Sequence, residues 1–249
     1  MLDTCAKTNT APFTLLNRLQ QTPNPSSYNN PLDALDIAAE CLDHMAAGID
    51  TTGDALCFLM WELSQPRSMP YQRALQRELL AAANPTPGRG GGEGGAGGVG
   101  FDKLPYLDAV VLEGLRCFPA IPMSLPRYVP GGPGGLGGGG GGDGDGRIID
   151  GVFVPRGTTV SCQAYSVQRL DGGGVFPEPE VFRPERWLAA EGDAERKRRF
   201  FAFASGGRGC VGKQYVLFFF LFFFFYMGCN TVCALLGYTH TLLVLCYLV

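Results

Sequence analysis

The 249-residue sequence predicts a mainly α fold with one small β-hairpin. Three observations carry this. After Pro31 no proline occurs until Pro66, and Leu42, Met45, Ile49, Leu56, Leu59 and Leu63 recur at roughly helical spacing. Two more stretches, 70–83 and 105–117, read as helices, the first amphipathic and charged on one side. The run RIIDGVFVPRGTTVSCQAYSV alternates apolar and polar residues, with turn signals at Asp150-Gly151 and Pro155-Arg156-Gly157.

The elements follow in order. Residues 1–30 are polar, punctuated by Pro23 and Pro25, and read as a loop. Asn30-Pro31 looks like a helix cap followed by proline in the first turn. The helix then runs to Ser64 through poor helix formers at Gly48, Thr51, Thr52 and Gly53, and Gln65-Pro66 ends it. Two glycine tracts, 88–100 and 131–146, read as surface insertions. Residues 177–200 are rich in proline and charge and predict an irregular meander with short helical turns. The apolar segment 215–249 carries no charged residue.

Net charge is −3, which gives no sign of a nucleic-acid partner. The nine cysteines are odd in number and show no recurring paired spacing, so a reducing compartment is expected rather than a disulfide framework. The polar N-terminus, MLDTCAKTNT, reads as neither signal peptide nor membrane anchor.

Chemistry concentrates in the string Phe203-Ala-Ser-Gly206-Gly207-Arg208-Gly209-Cys210-Val211-Gly212. A lone cysteine in a glycine-rich loop is usually a small hydrophobe. Here the glycines let backbone approach the sulfur, Phe203 can shield it, and Arg208 can meet an anionic group. A second cluster is Ala47-Gly48-Ile49-Asp50-Thr51-Thr52 in the long helix. Gly48 leaves a gap, Thr51 offers a hydroxyl and Asp50 an acid; read alone, a mid-helix threonine more often bonds the carbonyl four residues back. In a third, Glu113 and Arg116 lie three apart on one helix face and can pair. Arg186, in Pro184-Glu185-Arg186-Trp187, is a candidate third partner, and Arg127, in Leu125-Pro126-Arg127, a further cation.

These strings, in this order over residues 30–214, resemble the cytochrome P450 family, and ECLDHMAAGIDTTGDALCFLMWELSQP looks like its fungal members. The resemblance implies haem, with Cys210 as axial thiolate to iron, Arg208 and Arg127 on the propionates, and Phe203 and Gly48 beside the cofactor. It implies Thr51 and Asp50 in oxygen activation and proton delivery. Glu113, Arg116 and Arg186 would form a structural triad. The implied reaction puts one atom of O2 into a small organic substrate, with electrons from NADPH through a separate reductase. The implied location is the endoplasmic reticulum membrane. A haem-thiolate isomerase or dehydratase is an alternative, although such enzymes tend to lose the Asp-Thr pair. A second alternative is a truncated, non-catalytic fragment or pseudogene product unable to hold haem.

The family's chains are longer, so the expectation is a cytochrome P450 fold without its N-terminal half, where the anchor and most substrate-contacting loops belong. The hydrophobic tail departs from the family after Tyr215. It reads as a transmembrane helix, as an overpacked core helix with seven Phe in eight positions, or as translated intron. A membrane contact through this apolar tail is a further expectation.

Overall fold

The computed structural model describes residues 14–21, 33–83, 103–130, 146–170 and 174–235, without the side chains of residues 21 and 225–235. The tract 88–100, residues 131–145 of the second tract and residues 236–249 lie outside them. The chain divides into two compact units, 1–54 and 55–249.

The first unit corrects two expectations. Within the stretch read as a loop, Leu15–Gln21 forms helix α1. Thr14 caps it, its hydroxyl accepting the Asn17 amide at 3.3 Å. The long helix α2 spans Ala34–Ser64, not 31–64. Asp33 caps it: Oδ1 accepts the Leu35 and Asp36 amides at 2.8 Å each, satisfying donors a helix start leaves orphaned. Asn30 and Pro31 lie outside the described residues. Leu42, Met45 and Ile49, which the spacing places on one stripe, are exposed.

The second unit is built on the last turns of α2 together with α3 (Met69–Ala83), α4 (Pro105–Cys117) and α7 (Lys213–Leu235). Leu59 and Leu63 of α2, Leu75 and Leu79 of α3, Leu107, Val110, Val111 and Leu115 of α4, and Phe220 of α7 share one core. The start of α4 is fixed twice. Pro105 occupies its first turn, where a missing N–H costs nothing. Glu78 of α3 accepts the next two amides, Tyr106 at 2.9 Å and Leu107 at 2.8 Å. The helices meet closely: a β-carbon on Gly114 would lie 2.7 Å from Leu59 Cδ1.

Strands β2 (Gly146–Ile149) and β3 (Val152–Pro155) pair as the expected hairpin, Ile149 opposite Val152. Asp150 and Gly151 turn it with φ of 50° and 78°, the primed turn that matches strand twist. Strand β4 (Thr159–Gln163) does not extend this hairpin. It pairs with β1 (Ser124–Tyr128), Arg127 opposite Val160. Pro126 sits within β1 opposite Ser161, as a proline can on an edge strand. A short helix α5 (Ala164–Val167) follows β4. The meander holds a 3-10 turn at Pro184–Trp187 and helix α6 (Asp193–Arg199).

Candidate functional site: a cysteine loop on a buried carboxylate network

Glu113 is fully buried on α4, and a carboxylate there needs its lone pairs filled. Arg116 grips it from one turn on, Nε to Oε2 and Nη2 to Oε1, both at 2.9 Å. Arg186 Nε donates to Oε1 at 3.0 Å, the Arg183 backbone amide to Oε1 at 2.9 Å, and Trp187 Nε1 to Oε2 at 2.9 Å. The 3-10 turn thus presents Arg186 and Trp187 to one acceptor. Arg116 spends its other nitrogen on the carbonyls of Pro179 (2.8 Å) and Gln168 (3.2 Å). Arg186 Nη1 reaches the Pro177 carbonyl at 2.9 Å and Nη2 the Val181 carbonyl at 3.1 Å.

Two guanidiniums share one carboxylate, and their acidities part accordingly. Burial disfavours the charge on Arg116, but the hydrogen bonds and charge of Glu113 outweigh it and hold its pKa above the ordinary value. Burial dominates for Arg186, and with repulsion from Arg116 it draws the pKa below the ordinary value despite Glu113.

The cysteine loop stands on this network through two links. Gln168 is fully buried; its Nε2 donates to the Arg116 carbonyl at 3.1 Å and its Oε1 accepts the Phe201 amide at 3.1 Å. Beside it the Arg116 guanidinium lies 5.4 Å over the Phe176 ring, and rings run on through Trp187, Phe200 and Phe203 at centroid spacings of 5.8, 5.4 and 6.2 Å. Phe203 opens the loop and its carbonyl accepts the Cys210 amide at 2.9 Å. Gly206 has φ +67°, a region a side chain strains. It starts a 3-10 turn through Arg208, closed by Gly209 N–H to the Gly206 carbonyl at 3.0 Å. Cys210 then emerges exposed and unbridged, with Gly212 beside its sulfur, where a β-carbon would lie 3.7 Å from Sγ.

Of the residues singled out in the sequence, Glu113, Arg116 and Arg186 meet, and Phe203, Arg208 and Cys210 share one loop. Arg208 is exposed. Arg127 lies exposed on β1 and donates to the Pro126 carbonyl at 2.8 Å. Gly48, Asp50 and Thr51 belong to the first unit, on α2; Gly48 and Asp50 are exposed. The Thr51 hydroxyl donates to the Ala47 carbonyl at 2.6 Å, the local bond open to any mid-helix threonine. Gln168, Phe200 and the indole of Trp187 were missed by sequence reasoning. A buried glutamine has no periodic signature, whereas Trp187 sat beside Arg186 and could have been found with it.

The loop suits a haem. A single exposed thiol at the tip of a hydrogen-bonded turn is the one donor that a haem iron would take from the protein here, since the macrocycle would supply the nitrogen ligands. A bare ion would need several protein ligands, and among the described residues no group of three or more His, Cys, Asp or Glu could hold one.

A model of the cytochrome P450 family matches residues 4–215. The chain is 34% identical over 207 residues to the cytochrome P450 monooxygenase macH of Penicillium terrestre, covering 83% of this chain and 36% of that protein. It is 34% identical over 192 residues to the cytochrome P450 monooxygenase hkm5 of Aspergillus hancockii, covering 74% and 32%. It is 32% identical over 175 residues to pisatin demethylase of Fusarium vanettenii, covering 68% and 29%. The chain thus spans about a third of the length of these relatives. The match over residues 4–215, on a fold that carries the cysteine loop and the Glu113 network, shows that the chain belongs to the cytochrome P450 family.

Proposed function

We propose that residues 31–214 are the haem-binding part of a monooxygenase, with Cys210 as axial thiolate. The observation that carries this is the exposed Cys210 thiol on a loop pinned at its amide by the Phe203 carbonyl. Haem held there would supply reduction of O2, one oxygen atom entering an organic substrate and the other leaving as water. The electrons would come from NADPH by way of a separate reductase. Arg208 and Arg127 would pair with the propionates as charge-assisted donors. Phe203 would cover the sulfur, and Gly48 would leave space on α2.

Asp50, an exposed carboxyl, would give up a proton at its oxygen. Thr51, with its hydrogen donated to Ala47, keeps lone pairs that accept a hydrogen bond. Glu113, Arg116 and Arg186 act on the fold and touch no substrate; their part is to hold Phe200, Phe201 and hence the loop.

The test is to supply haem to the purified chain, reduce it, add carbon monoxide and record the spectrum. The strongly red-shifted Soret band of a thiolate-bound haem is expected, and Cys210→Ser abolishes it. A second reading is a non-catalytic chain that holds no haem. Failure to retain any haem would establish that reading and remove the first.

A further inference from the structure

Gln168 stands between the end of α4 and the cysteine loop, and its side-chain amide serves both. A helix leaves its last four carbonyls without intrahelical partners. Gln168 Nε2 donates to that of Arg116 at 3.1 Å, with that of Leu115 next at 3.5 Å. Its Oε1 accepts the Phe201 amide at 3.1 Å. A carbonyl needs a donor and a backbone amide needs an acceptor, so only one orientation of this fully buried group satisfies both. Among the described residues, no other side chain bonds the backbone of residues 200–212.

From Phe201 the constraint passes to the thiol through two further bonds. The Phe201 carbonyl accepts the Ala204 amide at 3.1 Å. That amide shares a planar peptide group with the Phe203 carbonyl, and the Phe203 carbonyl accepts the Cys210 amide at 2.9 Å. Turning one end of the peptide therefore turns the other. Ala204 pays for this geometry with φ +54°, a region that a residue with a side chain keeps only where its surroundings impose it.

We infer that Gln168 is a positioning residue for the Cys210 thiol: by gripping the Phe201 amide it imposes the strained Ala204 turn that aims the Phe203 carbonyl at Cys210. Its value to an axial ligand rests on the haem reading proposed above.

The test is native-state amide hydrogen exchange on the chain without haem. In the unmodified chain the Phe201 amide should exchange at least about a hundredfold slower than an unprotected peptide amide. Gln168→Met removes both side-chain bonds, and the Cys210 amide should then exchange about tenfold faster, beyond any change at Val110 and Val111 in α4. Gln168→Glu keeps an acceptor for Phe201 and should retain the slow exchange at Cys210. Ala204→Gly relieves the positive φ, so adding it to Gln168→Met should restore that slow exchange; a glutamine that only capped α4 would be blind to Ala204. With haem supplied, the red-shifted Soret band should weaken in Gln168→Met and recover in the double variant. Absence of the band from the unmodified chain would remove the haem reading and leave exchange to decide the positioning role. An unprotected Phe201 amide, Cys210 exchange indifferent to Gln168→Met, or no recovery with Ala204→Gly would each overturn the inference. The first is read on the unmodified chain, so it decides even where Gln168→Met fails to fold.

Discussion

The Glu113 carboxylate and the Arg186 guanidinium, 73 residues apart in sequence, meet at 3.0 Å with side chains 0 and 5% exposed. Charges so far from water persist only when paired, and removing one partner strands the other. Glu113→Ala leaves two buried arginines without a counter-ion, and a loss of about 3–5 kcal/mol is expected. Arg186→Lys keeps the charge but not the planar fork that also serves the Pro177 and Val181 carbonyls, so its cost should be smaller. Chemical denaturation followed by circular dichroism ranks the two. If Glu113→Ala unfolds at the same denaturant concentration as the unmodified chain, the network does not hold the fold.

The second prediction concerns Gly114, next to Glu113. Its backbone lies so close to Leu59 that even a methyl group collides. Gly114→Ala should cost about 1–3 kcal/mol by overpacking. Leu59→Ala opens a cavity on its own but makes room for that methyl. The double variant should therefore be more stable than the sum of the single losses by a measurable coupling. Simple additivity in the same denaturation series would refute the contact.

The sequence foretold α4 to the residue because its signals are local: a proline in the first turn and apolar residues at helical spacing through Leu115. The β2–β3 turn was equally plain, since Asp-Gly is the side-chain signature of its two positive φ angles. Strand β1 left no such trace. Its partner β4 begins 31 residues after β1 ends, with a glycine tract between, and Pro126 argues against a strand when read in isolation. The caps were misplaced for a related reason. Asn30 and Asp33 are both competent caps, and Asp33 accepts two amides where α2 begins. In the candidate site the charged residues stood out, because a Glu and two Arg invite pairing. The neutral links through Gln168 and the rings from Phe176 to Phe203 did not, since each is a tertiary contact that no periodicity encodes.

The cysteines give a third prediction. Burial, reinforced by the Glu113 charge, pushes the Cys117 thiol up to about 12 from its ordinary 9. Cys210 and Cys162 are exposed. At neutral pH a maleimide should modify Cys210 and Cys162 rapidly and leave Cys117 untouched until the chain unfolds, since thiolate and access are both required. The sign for stability follows. A thiol whose folded pKa lies above its unfolded one favours the protonated state, so its contribution is complete below pH 9 and lost as pH rises from about 9 to 12. Cys117→Ala should flatten the stability profile in that window. Fast labelling of Cys117 in the folded chain would contradict its burial. Added haem that slows labelling of Cys210 but not of Cys162 would support axial ligation independently of any spectrum.

The last prediction concerns Val216. The family match stops at Tyr215, yet α7 continues through that point to Leu235 without a break. The chain switches in mid-helix to VLFFFLFFFF, with apolar side chains both at the core around Phe220 and at the exposed positions Phe218, Phe219 and Phe222. A helix selected to pack on one side and face water on the other would alternate polarity; this one does not. Phenylalanine codons are pyrimidine runs and a valine codon begins with GT, the pattern of an intron starting at its donor site. We propose that residues 216–249 are translated intron. Sequencing the mature message across codon 216 should show a spliced form in which a mixed-polarity helix replaces the phenylalanine run. A mature message that always retains the segment would refute this.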